Sequence, residues 1–176
     1  MRGLAAIAAV FGALCLSGCF VARAPLYLEA AGACPFTQPT DLVMTENDAE
    51  ERIRFEADGA FCKTTEAALE GKAEKTDRVL FVPIGANTWI LQDDDAGAQT
   101  YHFMTRSGRT WRAFAPKCED LSDGRLKKLN LALEANGRDC IVTSAEQLEA
   151  AIRAWRGPFR RPSGLYRAEP SKTATP

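Results

Sequence analysis

The sequence predicts an α+β chain that is mainly β: an antiparallel meander or partly open barrel with one C-terminal helix packed on it. Three observations carry this reading. Between residues 42 and 115 apolar and polar residues alternate with period two, the spacing of half-buried strands. Turn signals separate these runs at short intervals, and short links between successive strands imply antiparallel pairing. Only residues 145–155 carry a clear apolar stripe at helical spacing.

The elements follow in chain order. Ile53, Phe55 and Ala57 alternate with Arg52, Arg54 and Glu56, and Asp58-Gly59 is a hairpin turn pair. Residues 60–64 return alongside and put Cys62 in a strand. Ala, Glu and Lys dominate residues 65–75, a short helix or loop. Residues 78–84 are nearly all apolar and read as a strand buried on both faces, with Pro83 at an edge, bulge or end. Strands at 88–92, 99–105 and 110–115 follow, divided by Gly85-Ala86-Asn87, by the loop from Asp93 to Gly97, and by Ser107-Gly108. Leu129, Leu131 and Leu133 alternate before Asn136-Gly137, a strong hairpin signal, and residues 138–142 return with Cys140. A helix over 126–133 is the alternative there. Ser144 and Gln147 form a capping box for the last helix, whose stripe is Leu148, Ala151, Ile152 and Trp155; Gly157-Pro158 stops it.

The N-terminus reads as a targeting segment. Met1-Arg2 is a short positive start, residues 4–16 are uncharged and apolar, and Leu16-Ser17-Gly18-Cys19 follows. Thirteen helical residues rise about 20 Å, too little to span a hydrocarbon core of about 30 Å. The tetrapeptide resembles the lipobox of bacterial lipoproteins. That resemblance implies a diacylglycerol on the Cys19 thiol, cleavage before Cys19, an N-acyl chain, and anchoring in a bilayer at the periplasmic face. In that family an Asp after the lipidated cysteine retains the protein at the inner membrane; Phe20 stands here, which implies the outer membrane. The expected organisation is a signal peptide over 1–18, a lipidated tether over 19–33, a globular domain over 34–156, and a Pro/Arg-rich, largely disordered tail over 157–176. Pro25-Leu26-Tyr27-Leu28 could form an edge strand within the tether.

Removing residues 1–18 from the 176-residue chain leaves 158, one domain of ordinary size. The full chain has a formal charge of −1, which gives no electrostatic case for nucleic acid. Of six cysteines, Cys15 leaves with the signal and Cys19 takes the lipid. Cys34, Cys62, Cys118 and Cys140 remain, and an even number in an exported chain reads as two disulfides. Three connectivities are open; Cys34–Cys62 with Cys118–Cys140 is favoured because each closes a moderate local loop.

Chemistry-bearing motifs are sparse. No CxxC occurs and the sole histidine is His102, so neither a metal site nor a redox pair is expected, and no cofactor is implied. There is no G-x-S-x-G elbow and no phosphate-binding glycine loop. Asp93, Asp94 and Asp95 read as a solvated hairpin turn rather than a Ca²⁺ loop. Glu50-Glu51 reads as a solvated run before a strand. Trp89, Tyr101, Phe103 and Trp111 form either an apolar sheet face or a stacking platform. Arg160, Arg161 and Arg167 could meet anionic headgroups or peptidoglycan carboxylates. The functional expectation is a non-enzymatic binding or structural module with an envelope protein or glycan partner. The alternative is an envelope hydrolase using residues around His102 and Asp93, Asp94 and Asp95. Small lysozyme-inhibiting lipoproteins are similar in general plan, but none of their motif residues occurs here.

Overall fold

The computed structural model describes residues 20–46, 49–66, 75–95, 97–156 and 162–170. Residues 1–18, Cys19, Arg160 and Arg161 lie outside that set, as does most of the expected helix or loop over 65–75.

Eight antiparallel strands close into a barrel. β2 (Thr40–Glu46), β3 (Ala49–Asp58), β4 (Phe61–Glu66), β5 (Lys75–Gly85), β6 (Thr88–Asp95), β7 (Ala98–Ser107) and β8 (Thr110–Phe114) pair in sequence order. The expected meander is therefore present. The gap between its first and last strands is filled by β11 (Gly164–Pro170), which pairs with both β8 and β2. The barrel is closed where a partly open one was the alternative. Several strand runs were read short: β3 begins at Ala49, β4 extends to Glu66, β5 begins at Lys75, β6 extends to Asp95 and β7 extends to Ser107. The hairpin predicted at Asp58-Gly59 turns there, with Gly59 at φ 63° where a side chain would be strained.

Strand alternation divides the apolar residues into two cores. The interior of the barrel holds Leu42, Met44, Ile53, Phe55, Val79, Phe81, Leu91, Met104, Trp111 and Tyr166. The outer core lies under α2 (Ala145–Arg156) and holds Leu80, Val82, Ile90 and Phe103. β5 supplies both, which is why Val79, Leu80, Phe81 and Val82 are all buried. The predicted helix stripe packs here: Leu148, Ala151, Ile152 and Trp155 are each at most 4% exposed. The Ser144 hydroxyl accepts the Gln147 N–H at 3.2 Å, half of the expected capping box. Gln147 reaches one residue further back than expected and accepts from the Thr143 N–H at 2.7 Å. Its amide N–H groups donate to the carbonyls of Leu129 and Asn130, tying the helix to the preceding chain.

Residues 20–33 are not a tether. β1 (Phe20–Ala22) pairs with the first half of β7, where β8 has already ended, and also with β10 (Cys140–Ile141). Phe20 is fully buried in the outer core. Residues 25–28 do not form the expected edge strand. The buried Gln92 amide takes the place of a neighbouring strand instead, accepting the Tyr27 N–H at 3.0 Å and donating to the Tyr27 carbonyl at 3.1 Å. The Tyr101 hydroxyl accepts the Leu26 N–H.

The tail differs in the same way. Residues 164–170 were expected to be disordered and instead complete the barrel, because Gly164, Tyr166 and Ala168 alternate inward against Leu165 and Arg167. Arg167 is held by Glu169 on the outer surface. Between the barrel and α2, the leucine run splits: α1 (Asp123–Lys128) takes Leu126, and only β9 (Ala132–Leu133) is strand, paired with β10. Both expected readings of that stretch thus hold in part.

The four cysteines pair as favoured, Cys34–Cys62 and Cys118–Cys140, with Cα separations of 5.1 and 5.3 Å. Closing loops of this length constrains the unfolded chain by about 3 kcal/mol each. The first bridge fixes the 32–39 segment against β4; the second fixes the chain after β8 against β10.

Candidate functional site: the barrel interior

The two ends of the barrel differ. At the end where the β3–β4, β5–β6 and β7–β8 hairpins turn, Phe36 enters from the 32–39 segment and closes the interior. Its ring centre lies 4.9 Å from Phe55, 4.8 Å from Trp111 and 5.9 Å from Phe81. Trp89 packs on Trp111 at 5.0 Å and thickens this plug.

Beyond the plug a cavity remains. Its enclosed volume is about 40 Å³, and the depression around it is open to solvent. Leu42, Ile53, Phe55, Leu91, Met104 and Ala113 form its apolar wall, and His102, Tyr166 and Ser163 supply the polar atoms. Ligand pockets are lined mainly by apolar groups with a few placed polar ones, and this wall has that make-up.

His102 is the unusual group in that wall. It faces inward from β7, directly opposite Leu91 of β6 and two residues before Met104. Among the described residues its imidazole has no hydrogen-bond partner. Burial alone drives its pKa down to about 4, with no carboxylate close enough to oppose the shift. The ring is thus neutral at neutral pH and offers one donor and one acceptor. A polar side chain placed so, without a protein partner, can take a hydrogen bond from water or from a ligand at the mouth.

Towards the mouth the inward rows turn polar. Glu51 stands beside Met44, Glu66 beside Ile53, Asp77 beside Thr64, and Asp93 beside Thr100. Burial holds the Tyr166 hydroxyl protonated well above its ordinary range, and the charges of Glu51 and Glu66 add to this. Lys75 is bonded to Asp77 at 2.8 Å, and its pKa is raised first by that bond and further by Glu66 and Asp93.

The groups named for a hydrolase are not assembled. Asp94 points away from the cavity: its carboxylate accepts from the Gly97 N–H and the Gln99 amide, both at 3.0 Å. Asp93 faces inward, and the Asp95 side chain lies outside the description. The three acids belong to β6 rather than to a turn. Ser163 shares the cavity with His102, but its hydroxyl donates to the Ala113 carbonyl at 3.0 Å. Among the described residues no group of three or more His, Cys, Asp or Glu could hold a metal ion.

The aromatic residues do not form one platform. Trp89 and Trp111 face the barrel interior, while Tyr101 and Phe103 face the outer core beneath α2. Glu50 is solvated and bonded to Arg52, as expected, but Glu51 belongs to the inward rim. Sequence reasoning missed Glu51, Glu66, Asp77 and Tyr166; the available signal was that Glu51 and Asp77 lie two residues along from inward Ile53 and Val79, Glu66 two along from inward Thr64, and Tyr166 between two small residues.

Comparison with protein-family models, with curated proteins and with solved structures finds no match to this chain.

Proposed function

We propose that this chain is a cell-envelope lipoprotein, anchored through acyl chains on Cys19 at the periplasmic face of a membrane, the outer rather than the inner, and that its barrel is a non-enzymatic binding module for a small apolar molecule. The observation that carries the binding role is the apolar cavity with His102 unpartnered in its wall. The anchor rests on the positive start, the apolar run and Leu16-Ser17-Gly18-Cys19. Two disulfides fit an oxidising compartment and support export. Because Phe20 is already buried in β1, a lipid on Cys19 would seat the barrel directly against the bilayer. Among the described residues no helix is long and apolar enough to cross a membrane.

The hydrolase reading has less support. His102 has no carboxylate to orient it, and Ser163 is engaged with a backbone carbonyl.

Growth with radiolabelled palmitate tests the anchor: the wild-type chain takes label and Cys19→Ser takes none. Label retained by Cys19→Ser would refute the anchor. The binding role is tested on the secreted soluble domain with N-phenyl-1-naphthylamine, an apolar fluorophore. Saturable one-to-one enhancement is expected, and it should be lost when Ala113→Trp fills the cavity. Equal enhancement by that variant would refute binding inside the barrel.

A further inference from the structure

We propose that the face of β1, β10 and β9 opposite α2, with Val21, Ile141 and Ala132 in a row across it, lies on the bilayer at the level of the lipid headgroups; this rests on the acyl anchor at Cys19 proposed above.

Strand alternation separates the two faces of this small sheet. Phe20 and Ala22 of β1, with Cys140 and Val142 on and just after β10, point into the outer core beneath α2. Val21 lies between the first two and Ile141 between the second two, so both face the other way. The register sets Val21 beside Ile141, and Ile141 beside Ala132 of β9. An apolar row thus crosses three strands. Val21 and Ile141 are half-buried and Ala132 is exposed, and among the described residues neither Val21 nor Ile141 belongs to either core. Thr100 of β7 stands beside Val21 and bounds the row on one side. β9 ends the sheet and bounds it on the other.

Connectivity decides what covers this row. Cys19 is one peptide link from Phe20, and consecutive Cα atoms are about 3.8 Å apart. Phe20 is fully buried and paired with Tyr101 of β7 on one side and Cys140 of β10 on the other. A link this short does not let the barrel turn freely over its lipid. The acyl chains enter the bilayer within a few residues of Val21, and the open face nearest that entry meets the headgroups. The other face of β1 is closed to the bilayer by α2, whose Leu148, Ala151 and Ile152 share its core. The plugged end is too far away: β7 reaches Ser107 six residues beyond Tyr101, about 20 Å along the strand. Asp139, two residues before Ile141 on the same face, is bonded to Asn136, and such a polar neighbour suits the headgroup level rather than the hydrocarbon. The acyl chains supply attachment, and the row supplies orientation.

Paramagnetic broadening reads the orientation directly. The lipidated mature protein, methyl-labelled, is placed in phosphatidylethanolamine–phosphatidylglycerol nanodiscs that carry a gadolinium chelate on a lipid headgroup. The methyls of Val21 and Ile141 should broaden severalfold more than those of Leu28, an exposed residue beside Tyr27, whose hydroxyl donates to Glu149 of α2. Soluble Cys19→Ser protein mixed with the same nanodiscs should show no broadening. If Leu28 broadens as much as Val21 and Ile141, the orientation is overturned while the anchor stands. If no methyl broadens in protein that stays bound to the nanodiscs, close seating is overturned. Equal broadening in Cys19→Ser would overturn the anchor's part in the placement. If the chain takes no palmitate label, the anchor falls and the orientation falls with it.

Discussion

Replacement of Phe36 by alanine tests the idea that a loop residue, and no strand residue, closes one end of the barrel. Phe36 is 5% exposed and its ring meets Phe55, Trp111 and Phe81 within 6 Å. Truncating a buried Phe costs about 3–5 kcal/mol, the upper part of that range applying where the site cannot collapse. Collapse is hindered here because Cys34, two residues away, is bonded to Cys62 of β4. A loss of about 4 kcal/mol follows, a large share of the roughly 5–15 kcal/mol that stabilises a domain. Urea unfolding under oxidising conditions reads it out, monitored by the fluorescence of Trp89, Trp111 and Trp155. The midpoint should fall by about 2 M with little change in slope. Leu28→Ala, at a residue 78% exposed, should leave the midpoint in place. A loss below about 1 kcal/mol for Phe36→Ala would refute the plug.

Two further substitutions probe the barrel wall. His102 has a pKa of about 4 in the folded chain against an ordinary 6.5, so the unfolded chain binds a proton that the folded chain refuses between those values. Its contribution is therefore steady above pH 6.5 and is lost as pH falls towards 4. The full shift corresponds to about 3 kcal/mol, and because part of the ring is open to the mouth, solvent screening reduces the expectation to about 1–2 kcal/mol. Wild type should lose that much more stability than His102→Gln between pH 7 and pH 4, and parallel stability profiles would count against a neutral, buried imidazole. Gly164→Ala should cost about 1–3 kcal/mol, since an added Cβ would lie 2.5 Å from the Tyr166 ring, which is 4% exposed and cannot swing away. Gly124→Ala in α1 meets no atom within 4 Å and should be neutral or slightly stabilising; equal melting temperatures for the two variants would contradict the packing of β11.

What the sequence revealed and what it hid follow from the same physics. Period-two alternation exposed strands such as β3, which buries Ile53 and Phe55 on one face, the continuous apolar run exposed β5, which feeds both cores, and the turn glycines marked their ends. The stripe from Leu148 to Trp155 exposed α2 for the corresponding reason. β11 was hidden because its inward residues are Gly164, Tyr166 and Ala168, two of them small, set among arginines and prolines that resemble a tail. Its place in the fold comes from non-local pairing with β2 and β8, which no local pattern records. The 20–33 segment was hidden because its order depends on Gln92 and Tyr101, more than sixty residues away. Closure of the barrel could not be read without β11. The candidate site suffered most, since it exists only after closure: His102 stood out by being single, but its cavity and the carboxylates near its mouth are assembled from strands far apart in the chain. Asp93, Asp94 and Asp95 show the limit of a local motif, for strand alternation sends Asp93 and Asp94 to opposite faces.

Methyl and imidazole NMR on the mature domain, titrated with N-phenyl-1-naphthylamine, tests the barrel's role most directly. Binding in the cavity requires saturable shifts in the His102 ring and in the methyls of Leu42, Ile53, Leu91 and Met104, with the outer-core methyls of Leu148 and Ile152 unmoved. Shifts confined to residues outside the barrel, or none at saturating fluorophore, would contradict it.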